Sequence, residues 1–129
     1  MIFRLLFIFL FIFTVGCKNK KNDDEALAIY LLHKTYSIFN IRAVNNSSVA
    51  ATYHVVYCRG YLFIASLDRL PAGVTSADKS VTIDDSLQQY GFSLNVQPNT
   101  GGSYYSTCKI PSIGASYTCT DNGTTVTCN

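Results

Sequence analysis

Five cysteines divide this 129-residue chain unevenly: Cys17 stands where an apolar run ends, and Cys58, Cys108, Cys119 and Cys128 lie in the remainder. The gaps between those four are 49, 10 and 8 residues. A zinc site needs close pairs such as C-x2-C and a redox pair needs C-x-x-C, so the spacing fits neither. Disulfides fit it, and disulfides persist in oxidising compartments outside the cytoplasm. The length allows one domain. The expectation is therefore a small exported body held by covalent staples.

The export signal is legible at the start. In MIFRLLFIFLFIFTVG (1–16), Arg4 and the terminal amine give a positive beginning, Leu5 to Phe13 is unbroken apolar sequence, and Thr14, Val15 and Gly16 are smaller. That is the layout of a secretory signal peptide. A permanent span would need ~20 apolar residues to cross ~30 Å of hydrocarbon, more than this run supplies. Removal of 1–16 takes away Arg4, so the net charge falls from +2 to +1. The only basic cluster is KNKK at 18–21, so the electrostatic footprint of a nucleic-acid binder is missing and no nucleic-acid partner is expected.

Thr14-Val15-Gly16-Cys17 resembles the lipobox of bacterial lipoproteins, although Thr14 stands where leucine is commonest. The resemblance implies a diacylglycerol on the Cys17 thiol and cleavage after Gly16. The residue types suit that chemistry, because glycine leaves the scissile bond uncrowded and a thiol supplies the nucleophilic sulfur. Two or more acyl chains hold a protein stably on a bilayer, where one holds only marginally. Residues 17–25 then read as a lipidated, charged tether, whose three lysines favour an anionic lipid surface.

Residues 26–129 read as one small α+β domain. Asn22 caps a helix whose first turn holds Asp23, Asp24 and Glu25, and whose stripe of Ile29, Leu32, Tyr36 and Phe39 ends near Asn40. Its apolar face is expected to pack on a mostly antiparallel sheet. Residues 49–58 and 61–67 are strand-like, joined by a turn at Arg59-Gly60. Residues 70–80 read as loop. Asp84 or Asp85 caps a short helical turn that ends at Gly91, and 92–96 is again strand-like. Asn122-Gly123 predicts a two-residue hairpin turn near the end of the chain.

With Cys17 lipidated, four cysteines make two bridges in one of three pairings. A two-residue turn at Asn122-Gly123 sets Cys119 opposite Val126, diagonal to Cys128 and beyond bridging distance. That disfavours Cys119–Cys128. It leaves Cys58–Cys119 with Cys108–Cys128, or Cys58–Cys128 with Cys108–Cys119.

Catalytic patterns are missing: there is no G-x-S-x-G, no phosphate-binding glycine loop and no H-E-x-x-H. His33 and His54 are isolated and read as structural. No enzyme activity, cofactor or metal is expected. The many tyrosines suit both a binding face and strand packing, and their spacing singles out no exposed face. The segment 97–106, with Asn99, Ser103, Tyr104 and Tyr105, is the candidate interaction loop.

The lipobox TVGC together with Tyr104-Tyr105-Ser106-Thr107-Cys108 resembles the small lipoproteins of leptospires. That resemblance implies an envelope lipoprotein and supplies no catalytic residue. The expected function is non-enzymatic display of a binding surface, with the membrane as one partner and an extracellular or periplasmic protein as another. The expected address is the cell envelope, the outer membrane before the inner. The competing reading is a lipid-anchored inhibitor of an extracellular enzyme such as lysozyme, an analogy of architecture alone.

Overall fold

The computed structural model describes residues 25–32 and 37–129. The expected signal peptide, Cys17 and the tether up to residue 24 lie outside the described residues, as do His33 and Tyr36. The chain divides into two units, Met1–Thr35 and Tyr36–Asn129. In the first, residues 25–32 are helical (α1) and present Leu27, Ile29, Tyr30 and Leu32 on the surface.

The second unit is built of eight strands and one short helix: β1 (Ile38–Asn45), β2 (Ala51–Tyr57), β3 (Phe63–Leu70), β4 (Lys79–Thr82), α2 (Asp85–Tyr90), β5 (Phe92–Pro98), β6 (Tyr104–Tyr105), β7 (Ser116–Asp121) and β8 (Val126–Cys128). They form two four-stranded sheets, ordered β4-β1-β7-β8 and β3-β2-β5-β6. All pairings are antiparallel except β1 with β7. A parallel pair needs a long crossover, and here the entire second sheet supplies it. The chain is thus an α+β protein with a mostly antiparallel, disulfide-bridged body. The inner faces of the sheets share one core, so what covers each sheet is the other one.

The expected helix to Asn40 is corrected by β1. Phe39, Ile41, Ala43 and Asn45 are buried, while Asn40 and Arg42 face outward. This alternation has the period of a strand. Phe39 therefore belongs to the sheet. The expected loop 70–80 is also shorter than read, because Lys79 and Ser80 already pair with β1. The Arg59-Gly60 hairpin is present with a wider connection, closed by the Tyr57 N–H donating to the Leu62 carbonyl. Asp84 caps α2, its Oδ1 accepting from the Leu87 N–H at 2.8 Å. Gly91 ends it at φ 79°. A Cβ on Gly91 would run into the backbone of Lys109, so only glycine lets that segment approach.

The disulfides are Cys58–Cys108 and Cys119–Cys128. The second overturns the expectation against it. Asp121 pairs with Val126, not Thr124, and the Asn122 N–H donates to the Thr125 carbonyl at 3.0 Å, so the turn falls on Gly123-Thr124 and the register slides by two. An even slip keeps both cysteines on one face and moves them from diagonal to directly opposite. Their Cα atoms are 3.9 Å apart. Flanking bonds between Thr118 and Asn129 in both directions make this a non-hydrogen-bonded pair, the closer kind. The turn is as tight as expected but sits one residue later, and the Asp121 carboxylate accepts the Gly123 N–H at 2.7 Å within it. The bridge lies in the core, in register with the small Ala43.

Candidate interaction surface

The two ends of the sandwich differ in chemistry. At one end Asp121 is fully buried, and its carboxylate accepts three bonds. Tyr53 Oη donates to Oδ2 at 2.7 Å, and Tyr104 Oη donates to Oδ1 at 2.5 Å. The Gly123 N–H also donates to Oδ1. Burial, then the bond to the Asp121 carboxylate, pushes both phenols well above the usual tyrosine range. Asn45, in register with Asp121, is buried beside it. Its amide donates to the carbonyls of Val49, Leu70 and Pro71. Every one of these groups is spent on the protein itself, so this end is structural.

The opposite end is apolar and open. Residues 58–62 connect β2 to β3, with Gly60 at φ 76° and Tyr61 at φ 51°. The backbone reversal turns Tyr61, Leu62 and Phe63 outward, at 54%, 68% and 62% exposure. Their exposure is held in a fixed frame. Cys58 is bridged to Cys108, whose neighbour Lys109 pairs with Phe92 of β5. The Tyr61 ring lies 4.5 Å from that of Tyr105. Phe63 sets its ring against the His54 imidazole, centroids 5.6 Å apart. On the outer face of the second sheet, His54 Nδ1 and Asn95 Nδ2 are buried without a hydrogen-bond partner. The surface there is a polar floor beside exposed rings.

Beside the tip, Tyr57, Arg59, Leu62, Ser86 and Tyr90 line a cleft of about 440 Å³. The Arg59 guanidinium lies 4.8 Å from the Tyr90 ring centre and donates to its hydroxyl at 2.5 Å. Tyr57 Oη donates to Asp84 Oδ2, so one carboxylate both caps α2 and fixes the cleft wall. That bond, with a smaller contribution from burial, pushes the Tyr57 phenol up to about 12. Among the described residues, no group of three or more His, Cys, Asp and Glu side chains stands close enough to hold a metal ion.

The residues of the candidate interaction loop are separated. Asn99 and Ser103 are exposed in the β5–β6 turn, where the Asn99 N–H donates to the Ala50 carbonyl, at the structural end. Tyr104 and Tyr105 form β6 and point to opposite faces, Tyr104 inward to Asp121 and Tyr105 outward to Tyr61. The expected strand 61–67 starts two residues late: Tyr61 and Leu62 belong to the connection, and Phe63 opens β3. One signal could have marked them: three consecutive apolar residues cannot all face inward from a strand. Cys17 lies outside the described residues.

No protein-family model matches the chain, and no curated protein matches it. Among solved structures, the chain is similar to an NMR structure of a protein from Eubacterium rectale, at 13% identity and a TM-score of 0.47. That match covers 72% of this chain and 87% of the other.

Proposed function

We propose that this is a cell-envelope lipoprotein, anchored through acyl chains on Cys17 and displaying the aromatic tip 58–63 with Tyr105 as a non-enzymatic interaction surface. The observation that carries the reading is the Cys58–Cys108 bridge. It belongs to an oxidising compartment, and it also fixes the exposed tip, so that partner binding orders little new structure. The two bridges use four of the five cysteines, and the remaining one is the lipobox cysteine. The likeness to leptospiral lipoproteins is consistent with this address, the outer membrane before the inner.

The test is a Cys17→Ala variant followed through cell fractionation. The reading expects the parent in the membrane fraction and the variant released from it in unprocessed or soluble form. Equal membrane retention of a correctly processed variant contradicts it. The inhibitor reading rests on 97–106 as an inserting segment, and Tyr104 turned onto Asp121 removes half of its aromatic pair from any insertion. A lysozyme assay with the folded protein is expected to show no inhibition.

A further inference from the structure

Where the exposed apolar groups lie is not even-handed. Among the described residues of the second unit, seven large apolar side chains are exposed: Tyr61, Leu62, Phe63, Val74, Tyr105, Ile110 and Ile113. Tyr61, Leu62 and Phe63 form the tip. Ile110 follows Lys109, which pairs with Phe92, and Ile113 precedes Gly114, whose N–H donates to the Ile38 carbonyl. Phe92 stands opposite Tyr57 at the end of β2, and its ring stacks on Phe39 at the start of β1. Five of the seven therefore share one end of the sandwich. Val74, whose carbonyl accepts from the Asn45 N–H, is at the other.

The same relationships place the start of β1. Ile38 and Phe39 stand at the apolar end, so the chain coming from the N-terminal segment enters the body there. A force applied through that segment draws this end, and not the Asp121 end, toward its point of attachment. Charge agrees. Residues 57–63 and 104–110 carry Arg59 and Lys109 and no Asp or Glu. At the cleft, α2 adds Asp84, engaged by Tyr57 and the Leu87 N–H, and the exposed Asp85. The cations thus stand on the tip and its neighbouring segment, and the acids on α2. Two cations beside protruding tyrosine, leucine and phenylalanine side chains suit the boundary between anionic headgroups and acyl chains.

We infer that the tip 58–63 and the neighbouring Ile110 seat on the bilayer itself, giving the protein a second membrane contact at the end where its anchored segment enters. This rests on the lipoprotein reading for the source of the tether, while the seating surface is defined by the body alone. The lipid anchor holds the protein at the membrane; the tip fixes which end faces it and leaves the Asp121 end turned outward.

The chain contains no tryptophan, so one introduced tryptophan reports on one place. The full mature protein carrying Leu62→Trp is reconstituted in phosphatidylethanolamine–phosphatidylglycerol vesicles, with and without bromine on the acyl chains. A second protein carries Thr124→Trp, in the exposed β7–β8 turn at the far end. The inference expects blue-shifted emission from position 62 that is strongly quenched by brominated lipid, and solvent-like, unquenched emission from position 124. Blue-shifted but unquenched emission at position 62 would mean that protein covers the tip, from this chain or another, and overturns the inference. Solvent-like emission at 62, or equal quenching at both sites, overturns it as well. The mass of the N-terminal peptide is measured on the same samples. Acylated Cys17 with an unquenched tip defeats the seating alone, whereas a chain without acyl groups defeats the anchor. The quenching ratio is read on the added vesicles in both cases.

Discussion

Phe39 of β1 stacks on Phe92 of β5, with ring centroids 4.9 Å apart and planes inclined by 22°. Tyr117 of β7 sets its edge against both, at 5.7 and 5.2 Å. Three strands from two sheets thus meet in one aromatic cluster at the end where the chain enters the body. Phe39→Ala and Phe92→Ala are each expected to cost about 3–5 kcal/mol, the usual range for emptying a buried phenylalanine site. Because the rings touch, the double variant should cost less than the sum of the singles, by about 0.5–1.5 kcal/mol. Urea unfolding of the four proteins measures the coupling.

At the other end, Asp121 joins the same two sheets by polar contacts. Asp121→Ala removes the acceptor from Tyr53 Oη, Tyr104 Oη and the Gly123 N–H together. Buried donors left unpaired cost about 1–3 kcal/mol each, so a loss of about 3 kcal/mol or more is expected. Tyr104→Phe deletes one donor and leaves the carboxylate two, which should cost only about 1–2 kcal/mol. Equal effects of the two substitutions in urea unfolding would show that the carboxylate is not the shared acceptor.

Alkaline stability follows from the same phenols. Tyr53, Tyr57 and Tyr104 all have folded pKa values raised above the ordinary 10.0, Tyr57 to about 12. A raised pKa means that the folded state holds the proton more tightly. Stability is therefore complete below pH 10 and declines above it, as the unfolded chain ionises while these groups do not. Absorbance titration should show Tyr53, Tyr57 and Tyr104 ionising late, and the unfolding free energy should fall as the pH rises above 10. Tyr57→Phe is expected to remove part of that decline.

The bridges differ in access and in span. Cys108 is exposed and Cys58 half-buried, whereas Cys119 and Cys128 are in the core. Reductant must reach a sulfur, so Cys58–Cys108 is expected to open first under native conditions. Loop-closure arithmetic for separations of 50 and 9 residues gives roughly 4 and 2.5 kcal/mol. A Cys58→Ser/Cys108→Ser double variant should therefore lower the Tm and speed hydrogen exchange in 57–63. The Cys119–Cys128 pair should stay protected from labelling until global unfolding.

Local signals were legible and long-range ones were not. The β2–β3 hairpin, the Asp84 cap, the Gly91 stop and β5 each depend on residues within a few positions of one another. Strand β1 depends on partners far away, β4 about forty residues on and β7 beyond seventy. Phe39 also continued the spacing of Ile29 and Leu32, so a helical stripe and a strand face competed for it, and pairing decided. The β4-β1-β7-β8 sheet was missed with β1, because without that strand β4 and the β7–β8 hairpin have no common neighbour. The Cys119–Cys128 register turned on a one-residue shift of the hairpin turn, from Asn122-Gly123 to Gly123-Thr124, where Asp121 accepts the Gly123 N–H. Tyr61 and Leu62 look like strand because they are strand formers; only the length of the 58–62 connection turns them out, while Phe63 lies in β3, a strand as expected.

The central claim is a lipid-anchored body closed by two disulfides, and mass spectrometry of the membrane-extracted protein tests it most directly. Unreduced digests should contain Cys58 linked to Cys108 and Cys119 linked to Cys128. The N-terminal peptide should begin at Cys17 and carry acyl mass. A chain that begins elsewhere without lipid, or one with Cys17 bridged to another cysteine, would contradict the account.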